Sequence, residues 1–110
     1  MNITKTLKHT HLKSVNNTAE EILYEIKNRY SEFKNEHLII DLSDNINTTI
    51  EEILLFLEIS ENNRENGNSF VIVSKGIDID EVPDEINVTP TFTEALDILE
   101  MDAIERDLGF

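Results

Sequence analysis

The chain has 110 residues, no cysteine, 39% apolar side chains and a formal net charge of −14. That length fits one domain with a single core, and the missing cysteine excludes disulfides and thiolate metal sites. A surface this acidic repels phosphate backbones and anionic lipid, so nucleic acid and membrane are not expected partners, whereas a basic protein would be drawn to it.

Residues 1–19 hold Lys5, Lys8 and Lys13 and no acid, while residues 76–110 hold eleven acids and one base, Arg106. Residues 2–15 alternate loosely between polar and apolar side chains, which predicts either one strand or two, the latter paired as a hairpin. They lack the apolar core of a signal peptide, and no apolar run approaches bilayer length, so the expected location is cytoplasmic. Thr18-Ala19-Glu20-Glu21 is a capping box, opening a helix with Ile22, Leu23, Ile26, Tyr30 and Phe33 on one face.

The run from His37 to Lys75 is the most informative. Leu38-Ile39-Ile40-Asp41-Leu42 and Phe70-Val71-Ile72-Val73 are continuous apolar strands, and a helix with Ile50, Ile53, Leu54 and Leu57 lies between them. Strands of this kind joined by a helix form a βαβ crossover and lie parallel in one sheet. Thr48-Thr49-Ile50-Glu51-Glu52 offers two overlapping capping boxes at that helix start, and Asn62-Asn63 with Asn66-Gly67-Asn68 should stop it.

Beyond Lys75-Gly76 comes an acidic segment, residues 77–86, broken by Pro83. Ile86-Asn87-Val88 suits a short last strand. Thr91 caps a third helix, with Glu94 as its boxed partner and Phe92, Ala95, Leu96 and Leu99 facing inward. The expected fold is therefore a single α/β domain with an approximately four-stranded, mostly parallel mixed sheet in the order ββαβαβα, spanning residues 1–100. Residues 101–110 form an acidic amphipathic tail of the same domain. Its stripe of Met101, Ile104 and Leu108 either packs back on the domain or docks on a larger protein or on a second copy in a homodimer.

The order of elements, the run Ile40-Asp41-Leu42-Ser43 and the ending Pro90-Thr91-Phe92-Thr93-Glu94-Ala95-Leu96 resemble the STAS domain, the module shared by sulphate transporters and bacterial anti-sigma-factor antagonists. The resemblance extends over Ile3–Leu99. It implies a non-catalytic interaction module that meets a protein partner, such as a kinase-like or basic regulator, through the loop after the central strand. In the antagonists that loop carries an Asp-Ser pair whose serine is phosphorylated. Here the loop contains Ser43, Asp44, Asn45, Asn47, Thr48 and Thr49, with Asn47-Thr48 nearest the family's pair. It is shorter than the family's loop and has Ile50 or Glu51 where glycine is usual, which counts against regulated phosphorylation.

The ending Ile104–Phe110 is similar to that of small stand-alone STAS-like relatives, some of which bear the label ribonuclease Z. That activity needs clustered histidines and carboxylates around two metals, in a His-x-His-x-Asp-His core. His9-Thr10-His11 supplies only the first half, and as a solvent-facing pair on a strand these two would at most share an adventitious ion. No metal set, cofactor motif or catalytic triad is legible. Asp78-x-Asp80-Glu81 fails as an EF-hand because Val82 and Pro83 fall where a ligand and a glycine are required. The competing expectation is a small-ligand-binding or enzymatic α/β domain with a pocket at the carboxyl ends of the strands.

Overall fold

The computed structural model describes residues 1–45 and 47–109; Phe110, the end of the expected tail, lies outside them. Two short strands, β1 (Asn2–Lys5) and β2 (Thr10–Lys13), pair antiparallel as the expected hairpin. Then come β3 (Leu38–Asp41), β4 (Phe70–Val73) and β5 (Asn87–Thr89), each parallel to its predecessor, and the sheet order is β1-β2-β3-β4-β5. The fold is α/β with a mostly parallel mixed sheet. It has five strands where the sequence suggests about four, the fifth being the short strand foreseen near Ile86–Val88. With a radius of gyration of 12.9 Å the described chain is one compact body.

The helices differ more from expectation. The first apolar stripe is divided between α1 (Ala19–Asn28) and α2 (Tyr30–Phe33), with Arg29 at the junction in a non-helical conformation (φ −115°, ψ 24°). Periodicity alone does not reveal this break, because Tyr30 and Phe33 still face the core. The next crossover is likewise two helices, α3 (Ile50–Leu54) and α4 (Leu57–Glu65). Asn62 and Asn63 do not stop α4; the chain turns at Asn66 and Gly67 instead. Asn63 is fully buried, donates to the Glu36 carbonyl (3.4 Å) and accepts from the Tyr30 hydroxyl (3.3 Å). A satisfied buried amide is compatible with a helix interior, whereas propensity counts it as a breaker.

The crossovers after β2, β3 and β4 all pack on one face. There Leu12, Leu38, Ile40, Phe70 and Ile72 meet Ile22, Ile26, Ile53 and Phe56. The last helix, α5 (Phe92–Asp107), crosses alone to the other face, over Ile39, Val71 and Val73. Every residue of β3 and β4 is therefore buried, as central parallel strands require.

Helix α5 runs from the carboxyl edge of the strands, at Phe92, to their amino edge, at Arg106. It is continuous through Glu100 and Met101, so residues 101–107 are helix. Sixteen residues span about 24 Å against about 13 Å for a four-residue strand, and the helix therefore overshoots the sheet. The stripe of Met101, Ile104 and Leu108 accordingly does not pack back on the domain: it is 58%, 59% and 65% exposed.

Candidate functional site

The loop singled out in the sequence leaves the carboxyl edge of the sheet between β3 and α3. Its side chains are used to shape it. Ser43 N–H donates to Asp41 Oδ1 (2.9 Å), an Asx turn, and Asn47 N–H donates to Asn45 Oδ1 (3.2 Å). Asp44 Oδ2 accepts from the backbone N–H of Asn16 (3.3 Å) and so ties the loop to the β2–α1 connection. Asn16 has a φ of 58°, a left-handed conformation that Asn tolerates better than most residues. A cleft of about 290 Å³ separates the two connections, lined by Asn16, Asn17, Asp44, Asn45 and Asn47 among others.

The adjacent threonines have separate roles. Thr49 is the helix cap: its Oγ1 accepts from Glu52 N–H (3.2 Å) while Glu52 Oε1 accepts from Thr49 N–H (3.1 Å). Thr48 is not a cap, contrary to the second overlapping box. It is buried, and its hydroxyl donates to the Asn45 carbonyl at 3.1 Å. Among the described residues of the loop, Asp44, Asn47 and Thr49 are exposed.

A second cluster begins under this loop. His11 Nε2 lies 2.8 Å from Asp41 Oδ2, and the imidazole stacks on Phe92 with ring centroids 4.4 Å apart. His9 meets the same ring edge-on at 5.9 Å. The two histidines are thus not a solvent-facing pair: His11 is committed to a buried carboxylate and an aromatic ring. Burial pushes the Asp41 carboxyl up, but hydrogen bonds from Ser43 and the His11 contact outweigh it and hold the carboxyl below its ordinary value. His9 is held below the ordinary histidine value by burial and, secondarily, by His11.

The seam continues along α5 to the amino edge. There Lys8, His9 and His37 face Leu96, Leu99, Ala103 and Arg106 across a groove of about 490 Å³. Ser69 is its anchor. Its N–H donates to His37 Nδ1 (2.9 Å), and its hydroxyl donates to Asp102 Oδ2 (2.7 Å) and accepts from Arg106 (3.4 Å). Burial, and then the Arg106 charge, lower the His37 pKa against an opposing effect of Asp102.

Sequence reasoning missed both features. One signal was available for the first: a lone carboxylate in an otherwise apolar strand must find a partner. The groove gives no such signal, since Lys8, His37 and Arg106 are brought together only by the crossing of α5. Among the described residues no group of three or more His, Asp or Glu side chains is placed to hold a metal ion, and no helix is long and apolar enough to cross a membrane. Comparison with family models, curated proteins and solved structures found no match to this chain.

Proposed function

We propose that this chain is a non-catalytic, cytoplasmic interaction module, similar in kind to the anti-sigma-factor antagonists of the STAS family. It docks a basic protein partner through the loop Ser43–Thr49 and the start of α3. The observation that supports this most is the construction of the loop. Hydrogen bonds within the loop and to Asn16 hold it in place, and Asp44, Asn47 and Thr49 are exposed beside the acidic first turn of α3. An acidic, polar surface suits steered encounter with a cationic partner.

The strand order favours the same reading over a switch-point crevice, since the cleft of about 290 Å³ at this edge lies between two connections to the same face. From β2 to β5 the order never reverses, and the three crossovers all leave toward one face. The crevice that forms where α/β connections diverge to opposite faces is therefore not created between these strands.

Native mass spectrometry of the tagged full chain recovered from its own cells tests the proposal. The expected result is a stoichiometric basic partner that is lost with Asp44→Lys or Asn47→Arg and kept with Leu7→Ser, a change at the exposed β1–β2 loop. Recovery of a bare monomer, or a partner indifferent to the loop substitutions, would overturn it.

A further inference from the structure

We propose that the groove between the β1–β2 loop and the second half of α5 binds a small organic monoanion, a carboxylate carrying a compact apolar body. This site lies at the amino edge of the strands, away from the loop Ser43–Thr49, and does not depend on the docking reading. Its volume of about 490 Å³ falls within the usual size of a small-molecule site. Leu96, Leu99, Ala103 and Arg106 follow one another at helical spacing, so one stripe of α5 forms a wall that is apolar for most of its length and cationic at its end.

The polar groups suit one negative charge. Lys8 and Arg106 are both on the groove, and neither forms an ion pair among the described residues, in a chain with 23 acids to nine bases. Glu100 is the one carboxylate in the lining, leaving an excess of one cation. Asp102 stands behind the groove, tied to the Ser69 hydroxyl. Because His37 Nδ1 accepts the Ser69 N–H, its neutral ring carries the proton on Nε2 and offers a donor rather than a charge. Burial lowers the pKa of both His37 and His9, so near neutral pH they act as polar donors beside the two cations. A dianion would exceed the positive charge of the lining, and a purely apolar ligand would leave Lys8 without an acceptor and Arg106 with the Ser69 hydroxyl alone.

The test is titration of the ¹⁵N-labelled full chain with 3-phenylpropionate and, separately, with its neutral amide. The acid is expected to give saturable backbone shifts at Lys8, His9, His37, Ala103 and Arg106, and the amide to bind about tenfold more weakly, the usual effect of one charged hydrogen bond. Arg106→Gln should lower affinity for the acid about tenfold on the same ground, with the rest of the spectrum unchanged. Ala103→Trp, an exposed helical position, should abolish the shifts by filling the groove. Equal binding of acid and amide, shifts scattered over other surfaces, or no saturation at millimolar concentration would each overturn the proposal.

Discussion

His11 and Asp41 are diagonal neighbours across the parallel β2–β3 ladder, joined at 2.8 Å with the carboxylate almost wholly buried. The pair does more than satisfy a buried carboxylate. Its imidazole is also stacked on Phe92, the first residue of α5, so a side-chain contact within the sheet is packed directly against the start of the last helix. Asp41→Ala would leave the Ser43 N–H and the imidazole without their acceptor. A loss of about 3 kcal/mol of folding stability is expected, the usual cost of leaving buried hydrogen-bonding groups without their partner. Urea denaturation at pH 7 measures it; a loss under about 1 kcal/mol would mean that water replaces the carboxylate.

Phe92→Ala removes the ring shared by His9 and His11. Phe92 is only half-buried, so the expected cost is about 2 kcal/mol rather than the 3–5 kcal/mol of a fully buried phenylalanine. The ring protons of His11 should move downfield as the ring current disappears. Unchanged His11 resonances in a folded variant would contradict the stacking.

The strands and caps were legible because each depends on neighbours in sequence. The all-apolar runs at 38–40 and 70–73 require cover on both faces, and Thr18 and Thr49 form reciprocal boxes with residues three positions on. What sequence did not reveal depends on distant partners. The break at Arg29 keeps the apolar period intact. Asn63 is acceptable in a helix only because Glu36 and Tyr30 answer it. His11 looked solvent-facing because nothing nearby in sequence points to Asp41, and the exposed stripe on α5 reflects the length of the strands it overshoots.

The threonines of the loop should respond in opposite ways to charge. Thr48→Glu places a carboxylate where a buried hydroxyl meets the Asn45 carbonyl, and should destabilise the fold by about 2–4 kcal/mol. Thr49→Glu sits on an exposed cap and should cost about 1 kcal/mol, mainly through loss of the capping box. Thermal and urea unfolding of the two variants check the order. If the loop is ever phosphorylated, the exposed Thr49 is the expected acceptor; modification found at Thr48 would require the loop to open first.

Acid should weaken the fold in two steps. The folded-state pKa of His37 is lowered, so the unfolded chain binds a proton more readily. Stability tied to His37 is then fully present above about pH 6.5, the ordinary histidine value, and falls as pH drops from there toward the folded value. Protonation would also end the acceptor role of Nδ1 toward Ser69. The Asp41 carboxyl, likewise lowered, contributes fully above about pH 4, and that contribution is lost as pH falls through its folded value. His37→Asn keeps an acceptor for Ser69 without a titrating ring, and should reduce the slope of stability against pH between about 7 and 5. An identical slope in the variant would exclude His37 as a source of the first step.

The stripe of Met101, Ile104 and Leu108 costs little to change, because its residues are more than half exposed. Ile104→Glu should leave stability within about 0.5 kcal/mol of the parent. Its effect should appear in association instead. If the stripe contacts a second copy, sedimentation velocity of the parent will show a dimer that Ile104→Glu and Met101→Glu both return to monomer. If the stripe meets the same partner as the loop, the parent will be monomeric, and the glutamate variants will release that partner as Asp44→Lys does. Parent and variants that are alike in both sedimentation and partner retention would remove the stripe from the binding surface and leave the loop Ser43–Thr49 as the whole docking face.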